Sequence, residues 1–241
     1  MTDPAAVAPT ETVLAPAKLT VSLRITGVRP DGLHLIDAEM VTLDLVDELR
    51  IGPGTGLTIE GAGPDVDAGP DNLVNRALGL VGREASVHLV KRIPSQAGLG
   101  GGSADAAAIL RWAGFSDLEA ASRLGADIAF CLVGGRARVR GMGQLVEPLP
   151  PVDRTFTLIT PTLPCPTSAV YRAWDDLGGP AGEYDNDLEA AALVVQPTLA
   201  RWRDELAEAT GERPVLAGSG SSWFVAGAHP GPGRTVVSTT R

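Results

Sequence analysis

The sequence has few of the residues on which several large classes of protein depend. It contains two cysteines, three histidines, and 20 Lys and Arg residues against 29 Asp and Glu residues, in a chain of 241. The net charge of −9 at pH 7 leaves no broad basic surface for a nucleic-acid backbone. Cys131 and Cys165 lie far apart and lack metal-site spacing, so we expect free thiols in a reducing compartment and no disulfide framework.

Long apolar runs and targeting signals are also scarce. The longest uncharged stretch, residues 214–233, is about as long as a membrane span requires. Glycine, serine and proline interrupt it, so we predict a loop with flanking strands. No Lys or Arg precedes Lys18, and prolines break the apolar residues there, unlike the plan of a signal peptide. We therefore expect a cytoplasmic protein that does not enter a membrane.

The remaining composition is typical of a folded protein with an aliphatic core, since hydrophobic residues make up 44% of the chain and aromatic residues 4%.

Apolar and polar residues alternate over residues 19–25, which predicts a strand with Lys18 and Thr20 on one face. The β-rich beginning, the central loop and helix, and the mixed end favour an α+β fold over regular βαβ alternation. Further strands are predicted at 36–51 with an interruption near 44–47, at 57–60, at 85–91, within 137–161, near 215 and at 235–239. Helices are predicted at 72–82, within 94–114, at 116–125 behind a capping box of Ser116 and Glu119, at 167–176 and at 186–209. Residues 1–12 are predicted as a loose tail, and the proline-rich segment 149–166 as a linker.

A glycine-rich segment is the most informative local feature. Four glycines, Gly98 and Gly100 to Gly102, stand within five positions directly before an Ala-rich helix with Ser103 as its predicted N-cap. Without side chains, the backbone N–H groups of such a loop can approach an anion, and the helix N-terminus adds the positive end of its dipole. The pattern predicts a phosphate-binding loop, with a simple tight turn as the alternative.

Three better-known nucleotide motifs do not match this segment. A P-loop requires Lys and then Ser or Thr after the glycines, whereas Ser103, Ala104 and Asp105 follow here. The dinucleotide fingerprint would need glycine at position 103. The His-Arg-Asp signature of protein kinases is missing.

Four segments together resemble one enzyme family. They are APAKLTVSLRITGVRPDGLH (15–34), KRIPSQAGLGGGSADAA (91–107), LGADIAFCLVGGRARVRGMGQ (124–144) and GSGSSWF (218–224). In this order they resemble the GHMP kinases, named for galactokinase, homoserine kinase, mevalonate kinase and phosphomevalonate kinase. RPDGLH and the NDLE segment at 186–189 resemble the branch that phosphorylates 4-diphosphocytidyl-2-C-methyl-D-erythritol.

This resemblance implies a two-lobed α+β fold with the active site in the cleft between the lobes. Residues 13–150 would form the ATP-binding lobe and residues 151–241 the substrate-binding lobe. ATP with Mg²⁺ would donate its γ-phosphoryl group to the 2-hydroxyl of the methylerythritol unit, in non-mevalonate isoprenoid precursor biosynthesis. The partner would be a small molecule, and we expect a monomer or weak homodimer.

The resemblance also assigns site residues by their place in the motifs. Lys18 and Asp127 match the catalytic positions. As a carboxylate, Asp127 is a weak base for the substrate hydroxyl, which matters little in a loose transition state where positioning and charge dominate. Lys18 would supply positive charge to the transferred group. The ATP-binding positions are Pro94, Ser95, Gln96, Ala97, Gly98, Leu99, Gly100, Gly101, Gly102, Ser103 and Ala104. The substrate positions are Thr20, Leu33, His34, Thr167, Tyr171, Gly218, Ser219 and Gly220, and Ser103 is the candidate ligand of Mg²⁺.

Plainer interpretations stay open for several of these residues. Lys18 could lie on a solvated face, and Asp127 could serve only as a turn former. Ser103 could be only an N-cap, and residues 218–220 only a β-turn. His34 and Tyr171 could be a turn histidine and a core tyrosine.

Two positions depart from the family pattern. Thr20 stands where the family usually has Asn, and it loses one paired donor and acceptor. Leu33 stands where an aromatic residue is common, and aromatic stacking on a base is worth about 1 to 3 kcal/mol in nucleic-acid sites. We expect the cytosine to lie between His34 and Tyr171 instead. A kinase for a different alcohol and a nucleotide-binding protein without turnover are the alternatives, and the role of Asp105 is left open.

Overall fold

The structure, a computed structural model, describes residues 10–61, 66–182 and 185–240, so most of the predicted tail lies outside it. Two β-sheets and seven helices make up the described part of the chain, which confirms the α+β prediction. The strands are β1 Glu11–Val28, β2 His34–Gly52, β3 Gly56–Glu60, β4 Ser86–Val90, β5 Arg136–Gly141, β6 Leu145–Pro148, β7 Thr155–Ile159, β8 Val215–Leu216, β9 Trp223–Ala226 and β10 Arg234–Ser238. The helices are α1 Leu73–Leu80, α2 Gly101–Trp112, α3 Leu118–Leu124, α4 Ile128–Val133, α5 Thr167–Asp176, α6 Glu189–Val195 and α7 Leu199–Thr210.

The first sheet is built around a long antiparallel hairpin of β1 and β2. The sheet has the order β3-β4-β2-β5-β6, with β1 also paired to β2, and only the β3–β4 pair is parallel. The predicted interruption of β2 near residues 44–47 is wrong. Asp47 is fully buried opposite Ala15 in the hairpin, and its carboxylate accepts the backbone N–H groups of Arg92 and Ile93, so the strand continues without an unpaired buried charge.

The second sheet is antiparallel, with the order β10-β7-β9-β8. Strand β7 lies inside the segment 149–166 that was predicted as a linker, so the chain passes between the sheets only over residues 149–154. Strand β9 lies inside residues 214–233, which were predicted as a loop. Its side chains Trp223 and Phe224 are buried and pack in the core.

Helix α2 forms the centre of the molecule. It packs against β1, α1 and α4, and its residues Ala104 to Leu110 are all buried. The prediction of Ser103 as its N-cap is wrong, because Gly100 caps the helix in the left-handed conformation (φ +68°) and Ser103 lies within the first turn. A residue with a side chain would be strained at Gly100, so the run of glycines moves the helix start toward the loop.

Two other predicted helices also differ from the structure, and one further helix was not predicted. Asp117 rather than Ser116 caps α3, since its carboxylate accepts the N–H of Ala120 at 3.0 Å. The single helix predicted over 186–209 is two helices. Pro197 lacks an N–H group and pushes Gln196 out of the helical conformation, to φ −137° and ψ 82°. Helix α4, which follows Asp127 directly, was not predicted.

The remaining predictions concern the N-terminal tail, membrane crossing, cellular location and oligomeric state. Glu11 and Thr12, placed in the predicted tail, already belong to β1. Among the helices of residues 10–61, 66–182 and 185–240, none has the length and apolar character that a membrane crossing needs. The cytoplasmic location and the monomeric or weakly dimeric state stay predictions.

Candidate active site

A cavity of about 1450 Å³ lies where β1, the start of α2, α5 and the loop 218–220 meet. Such a volume exceeds the ~300–1,000 Å³ of a pocket for one drug-sized ligand, so two substrates have room together. All but two of the predicted site residues line it. The exceptions, Leu99 and Ala104, have side chains buried in the core, although the carbonyl of Leu99 accepts the backbone N–H of Lys18 at 3.0 Å.

Lys18 and Asp127 meet inside this cavity. Lys18 Nζ lies 3.3 Å from Asp127 Oδ2 and donates a hydrogen bond to Thr20 Oγ1 at 2.9 Å. The Lys18 side chain is 5% exposed and that of Asp127 is 31% exposed, so the cation is held inside the protein while the carboxylate faces the open cavity. The solvated-face interpretation of Lys18 is wrong.

The glycine-rich loop fits closely around Lys18. A Cβ atom on Gly100 would lie 2.7 Å from Lys18 Cγ, closer than non-bonded carbon atoms approach. Glycine at position 100 therefore lets the start of α2 pass over the stem of the lysine. Gln96, in the same loop, has a positive φ of 56°, which is uncommon for a residue with a side chain.

The second glycine motif, at 218–220, packs against the first. A Cβ atom on Gly98 would lie 2.2 Å from the Ala217 carbonyl oxygen, and one on Gly218 would lie 3.4 Å from Lys18 Nζ. Ser222 N–H also donates to the Ala97 carbonyl at 3.2 Å. Two glycine motifs that are far apart in the sequence thus form one wall of the cavity.

His34 and Tyr171 also line the cavity. The rings of His34 and Tyr171 are in contact, with centroids 4.7 Å apart and planes at 45°. A base between them would need about 7 Å, two contact distances of ~3.5 Å, so the predicted position of cytosine between the rings is wrong in this conformation. Burial raises the pKa of Tyr171, which keeps its hydroxyl protonated. Leu33, half exposed on the turn before β2, also faces the cavity.

Helix α5 supplies one residue that sequence reasoning missed. Asp175 Oδ1 lies 2.8 Å from His34 Nε2. The rings of His34 and Trp174 are nearly perpendicular, with their centroids 5.6 Å apart. Asp175 lies four residues after Tyr171 on a predicted helix, so the helical period could have placed both on one face. Thr167, at the start of α5, bonds to Ser219 through their hydroxyl groups at 2.9 Å.

Comparisons with known proteins show what the chain is related to. The family described as GHMP kinases N terminal domain matches residues 72–135. The chain is 39% identical to the 4-diphosphocytidyl-2-C-methyl-D-erythritol kinase of Paracoccus denitrificans, with 87% of this chain and 84% of that protein covered. It is 34% identical to the kinase of the same name from Ruegeria pomeroyi, with 94% and 91% covered.

Solved structures give the same result. A crystal structure of 4-(cytidine 5'-diphospho)-2C-methyl-D-erythritol kinase is similar with a TM-score of 0.74 and 30% identity, covering 95% of this chain and 98% of that one. The homoserine kinase of Cytophaga hutchinsonii shares the fold, with a TM-score of 0.63, 18% identity, and 100% and 97% covered. The chain therefore belongs to the 4-diphosphocytidyl-2-C-methyl-D-erythritol kinase family of the GHMP kinases.

Proposed function

We propose that the protein transfers the γ-phosphoryl group of ATP to the 2-hydroxyl of 4-diphosphocytidyl-2-C-methyl-D-erythritol, in non-mevalonate isoprenoid precursor biosynthesis. The observation that carries the proposal is the contact between Lys18 and Asp127 at 3.3 Å, beside the glycine-rich loop and within one cavity. Family membership gives the reaction its substrates, since the relatives carry the name of this kinase.

The two central side chains divide the chemistry between them. A bond forms between the acceptor oxygen and the γ-phosphorus while the bond to the leaving ADP breaks. Asp127 orients the acceptor hydroxyl and takes its proton, and Lys18 offsets negative charge on the transferred group. A loose transition state needs little help from a strong base, so the positions of these two groups matter most.

The glycine-rich loop is the proposed site of the ATP phosphates. Gly100, Gly101 and Gly102 form the cap and first turn of α2, where backbone N–H groups have no partner within the helix. These donors and the helix dipole favour an anion at this end of the cavity. The plainer alternative of a tight turn would not require the loop to line the cavity beside Lys18.

Ser103 is the proposed protein ligand of Mg²⁺. Within the described parts of the chain, no three or more His, Cys, Asp or Glu side chains lie close enough together to hold a metal ion. Mg²⁺ does not need such a group, because it usually keeps several waters and is bound through one or two carboxylates and the substrate phosphates. Ser103 lies in the first turn of α2, lines the cavity and has its hydroxyl near Gly125, two residues before Asp127. Bound Mg²⁺ would neutralise phosphate charge.

The acceptor is proposed to lie toward α5. Its base would pack against one side of the His34–Tyr171 pair rather than between the rings, with Leu33 providing apolar surface at the opening. The change of sheet between Pro148 and Thr155 supports a division into an ATP-binding lobe at 13–150 and a substrate-binding lobe at 151–241.

The direct test is release of ADP from Mg·ATP with and without 4-diphosphocytidyl-2-C-methyl-D-erythritol. We expect ADP release that depends on this acceptor. Absence of stimulation, in protein shown by calorimetry to bind ATP, would contradict the proposal.

A different alcohol is the second candidate, favoured by Thr20 and Leu33, which replace residues usual in the family. A panel of acceptor alcohols without the cytidine unit decides between the two. Faster turnover of any of them than of the cytidyl substrate would favour this candidate. ATP binding without turnover of any acceptor would instead indicate a nucleotide-binding protein.

A further inference from the structure

Three charged side chains form a buried cluster directly behind the glycine-rich loop, and the reaction described above uses none of them. Asp47 comes from β2, Lys91 follows the last residue of β4, and Asp105 lies in the second turn of α2. Their side chains are 0%, 5% and 3% exposed. Lys91 and Asp105 also line the cavity.

The cluster joins the two ends of the loop. Lys91 Nζ donates to Asp47 Oδ2 and, at 2.8 Å, to Asp105 Oδ2. Asp47 Oδ1 accepts the backbone N–H groups of Arg92 and Ile93. Residues 91–93 lead into the loop and Asp105 follows it, so one set of hydrogen bonds fixes both ends relative to β2.

The cluster also contacts the start of α2. A Cβ atom on Gly101 would lie 3.0 Å from Lys91 Nζ, while one on Gly100 would lie 2.7 Å from Lys18 Cγ. The first residues of the helix therefore pass between two buried lysines, Lys91 and Lys18, which both line the cavity. Movement of Lys91 would change where the N–H groups of the loop point.

The composition of the cluster is poorly suited to stability alone. Replacing a buried ion cluster with packed apolar residues is often neutral or stabilising, because burial removes the charges from water. Asp105 Oδ1 has no hydrogen-bond partner among the described residues, although the Asp105 side chain is only 3% exposed. Burying these three charges costs free energy, so stability alone does not explain the cluster. Its hydrogen bonds to both ends of the loop provide an explanation.

We propose that Asp47, Lys91 and Asp105 are positioning residues that set the glycine-rich loop for nucleotide phosphate binding. The inference rests on the proposed function only in taking the loop as the phosphate site, and it holds for any acceptor alcohol.

The test uses substitutions of Asp105, because Lys91 and Asp47 then still neutralise each other. Asp105→Ala and Asp105→Val remove the hydrogen bond to Lys91, whereas Asp105→Asn keeps an acceptor oxygen of the same shape. Glu147→Gln is the control, since it removes one carboxylate from an exposed ion pair with Arg140 at the β6 edge of the first sheet. For each variant, thermal unfolding, KM for ATP, KM for the acceptor and the Kd for ADP are measured.

We expect Asp105→Ala and Asp105→Val to fold and to raise the KM for ATP and the Kd for ADP about tenfold or more, as misplacement of a binding group does. The KM for the acceptor should stay within about threefold. Asp105→Asn and Glu147→Gln should keep all three constants near those of the unchanged protein.

Three outcomes would overturn the inference. One is an unchanged Kd for ADP in folded Asp105→Ala. Another is an equal rise in the KM for both substrates. The third is failure of both apolar variants to fold while Asp105→Asn folds and is active, since the cluster would then act through stability. ADP binding needs no acceptor, so a protein without acceptor turnover would contradict the proposed function and leave this test intact.

Discussion

Lys18 reaches the cavity because β1 departs from regular pairing on both sides of it. The register between β1 and β2 shifts between Pro16 and Lys18 and again between Thr20 and Ser22. These irregularities turn Lys18 toward Asp127 while Thr20, buried beneath it, accepts a hydrogen bond from its ammonium group. Thr20 therefore holds Lys18, the proposed catalytic lysine, and its hydroxyl offers only part of the hydrogen-bonding capacity of an asparagine amide.

The first prediction concerns Asp127. Asp127→Asn keeps the shape of the side chain but removes its ability to take a proton and its charge near Lys18. We expect kcat to fall by about 10²- to 10⁴-fold with little change in the Kd for ATP. Steady-state kinetics and calorimetry measure the two quantities. An unchanged kcat would show that Asp127 has no part in the chemical step.

The second prediction concerns the orientation of His34. Asp175 Oδ1 accepts a hydrogen bond from His34 Nε2–H at 2.8 Å. Asp175→Leu should therefore allow the His34 ring to turn away from the cavity. We expect the KM for the acceptor to rise several-fold while the KM for ATP stays unchanged, because His34 and Asp175 belong to the proposed acceptor site and not to the glycine-rich loop. Asp176→Asn, at the exposed neighbouring residue, is the control. Equal effects from both variants would assign the change to surface charge.

Among the elements, α2 and the loop before it depend on glycines for two reasons that act together. Gly98 and Gly100 both have a positive φ, and a Cβ atom would clash with the Ala217 carbonyl oxygen at Gly98 and with the Lys18 side chain at Gly100. Glycine meets both requirements without steric cost. The atoms that pack against these glycines belong to residues distant in the sequence. The run of glycines therefore indicates that another part of the chain lies close to the loop, but it does not identify that part.

The third prediction tests this contact between elements. Gly98→Ala would place a methyl group 2.2 Å from the Ala217 carbonyl oxygen and strain a φ of +75°. We expect the loops at 94–100 and 217–220 to separate, with a loss of stability of about 1 kcal/mol or more and weaker ADP binding. Urea unfolding and calorimetry check the two effects. Gly114→Ala, also at positive φ but with open space around it, is the control and should weaken stability without changing ADP binding.

At the scale of the whole molecule, a short segment before α6 links the two sheets. Leu23 of β1 exchanges backbone hydrogen bonds with Asp185 and Asp187, at 2.7 and 3.0 Å. Between them, Asn186 is buried and donates to the carbonyls of Leu216 and Gly218 at 2.8 and 2.7 Å. This segment therefore sets the second glycine motif relative to β1 and hence to Lys18.

The fourth prediction concerns that link. Asn186→Ala would leave two buried carbonyls without a donor, and each unsatisfied group costs about 1 to 3 kcal/mol. We expect a clear drop in the urea midpoint together with a lower kcat. Asn75→Ala, which also removes two hydrogen bonds to backbone carbonyls but from a more exposed side chain, should lower stability less and leave kcat unchanged. A full kcat in Asn186→Ala would show that the link does not set the site.

The sequence alone determined the α+β class, the family, helix α5 with its predicted bounds and the phosphate loop as a hypothesis. These depend on local information: short motifs, the period of apolar residues, and glycines before a helix. The tertiary structure decided which groups meet. Only the folded chain brings Lys18 to Asp127, puts the ring of His34 against Tyr171, and encloses Asp105 with Lys91 and Asp47. Asp47 illustrates why the sequence alone could not predict these contacts. A charged residue within a strand pattern indicates an interruption of the strand, and only the folded chain shows the buried hydrogen-bond partners that let the strand continue.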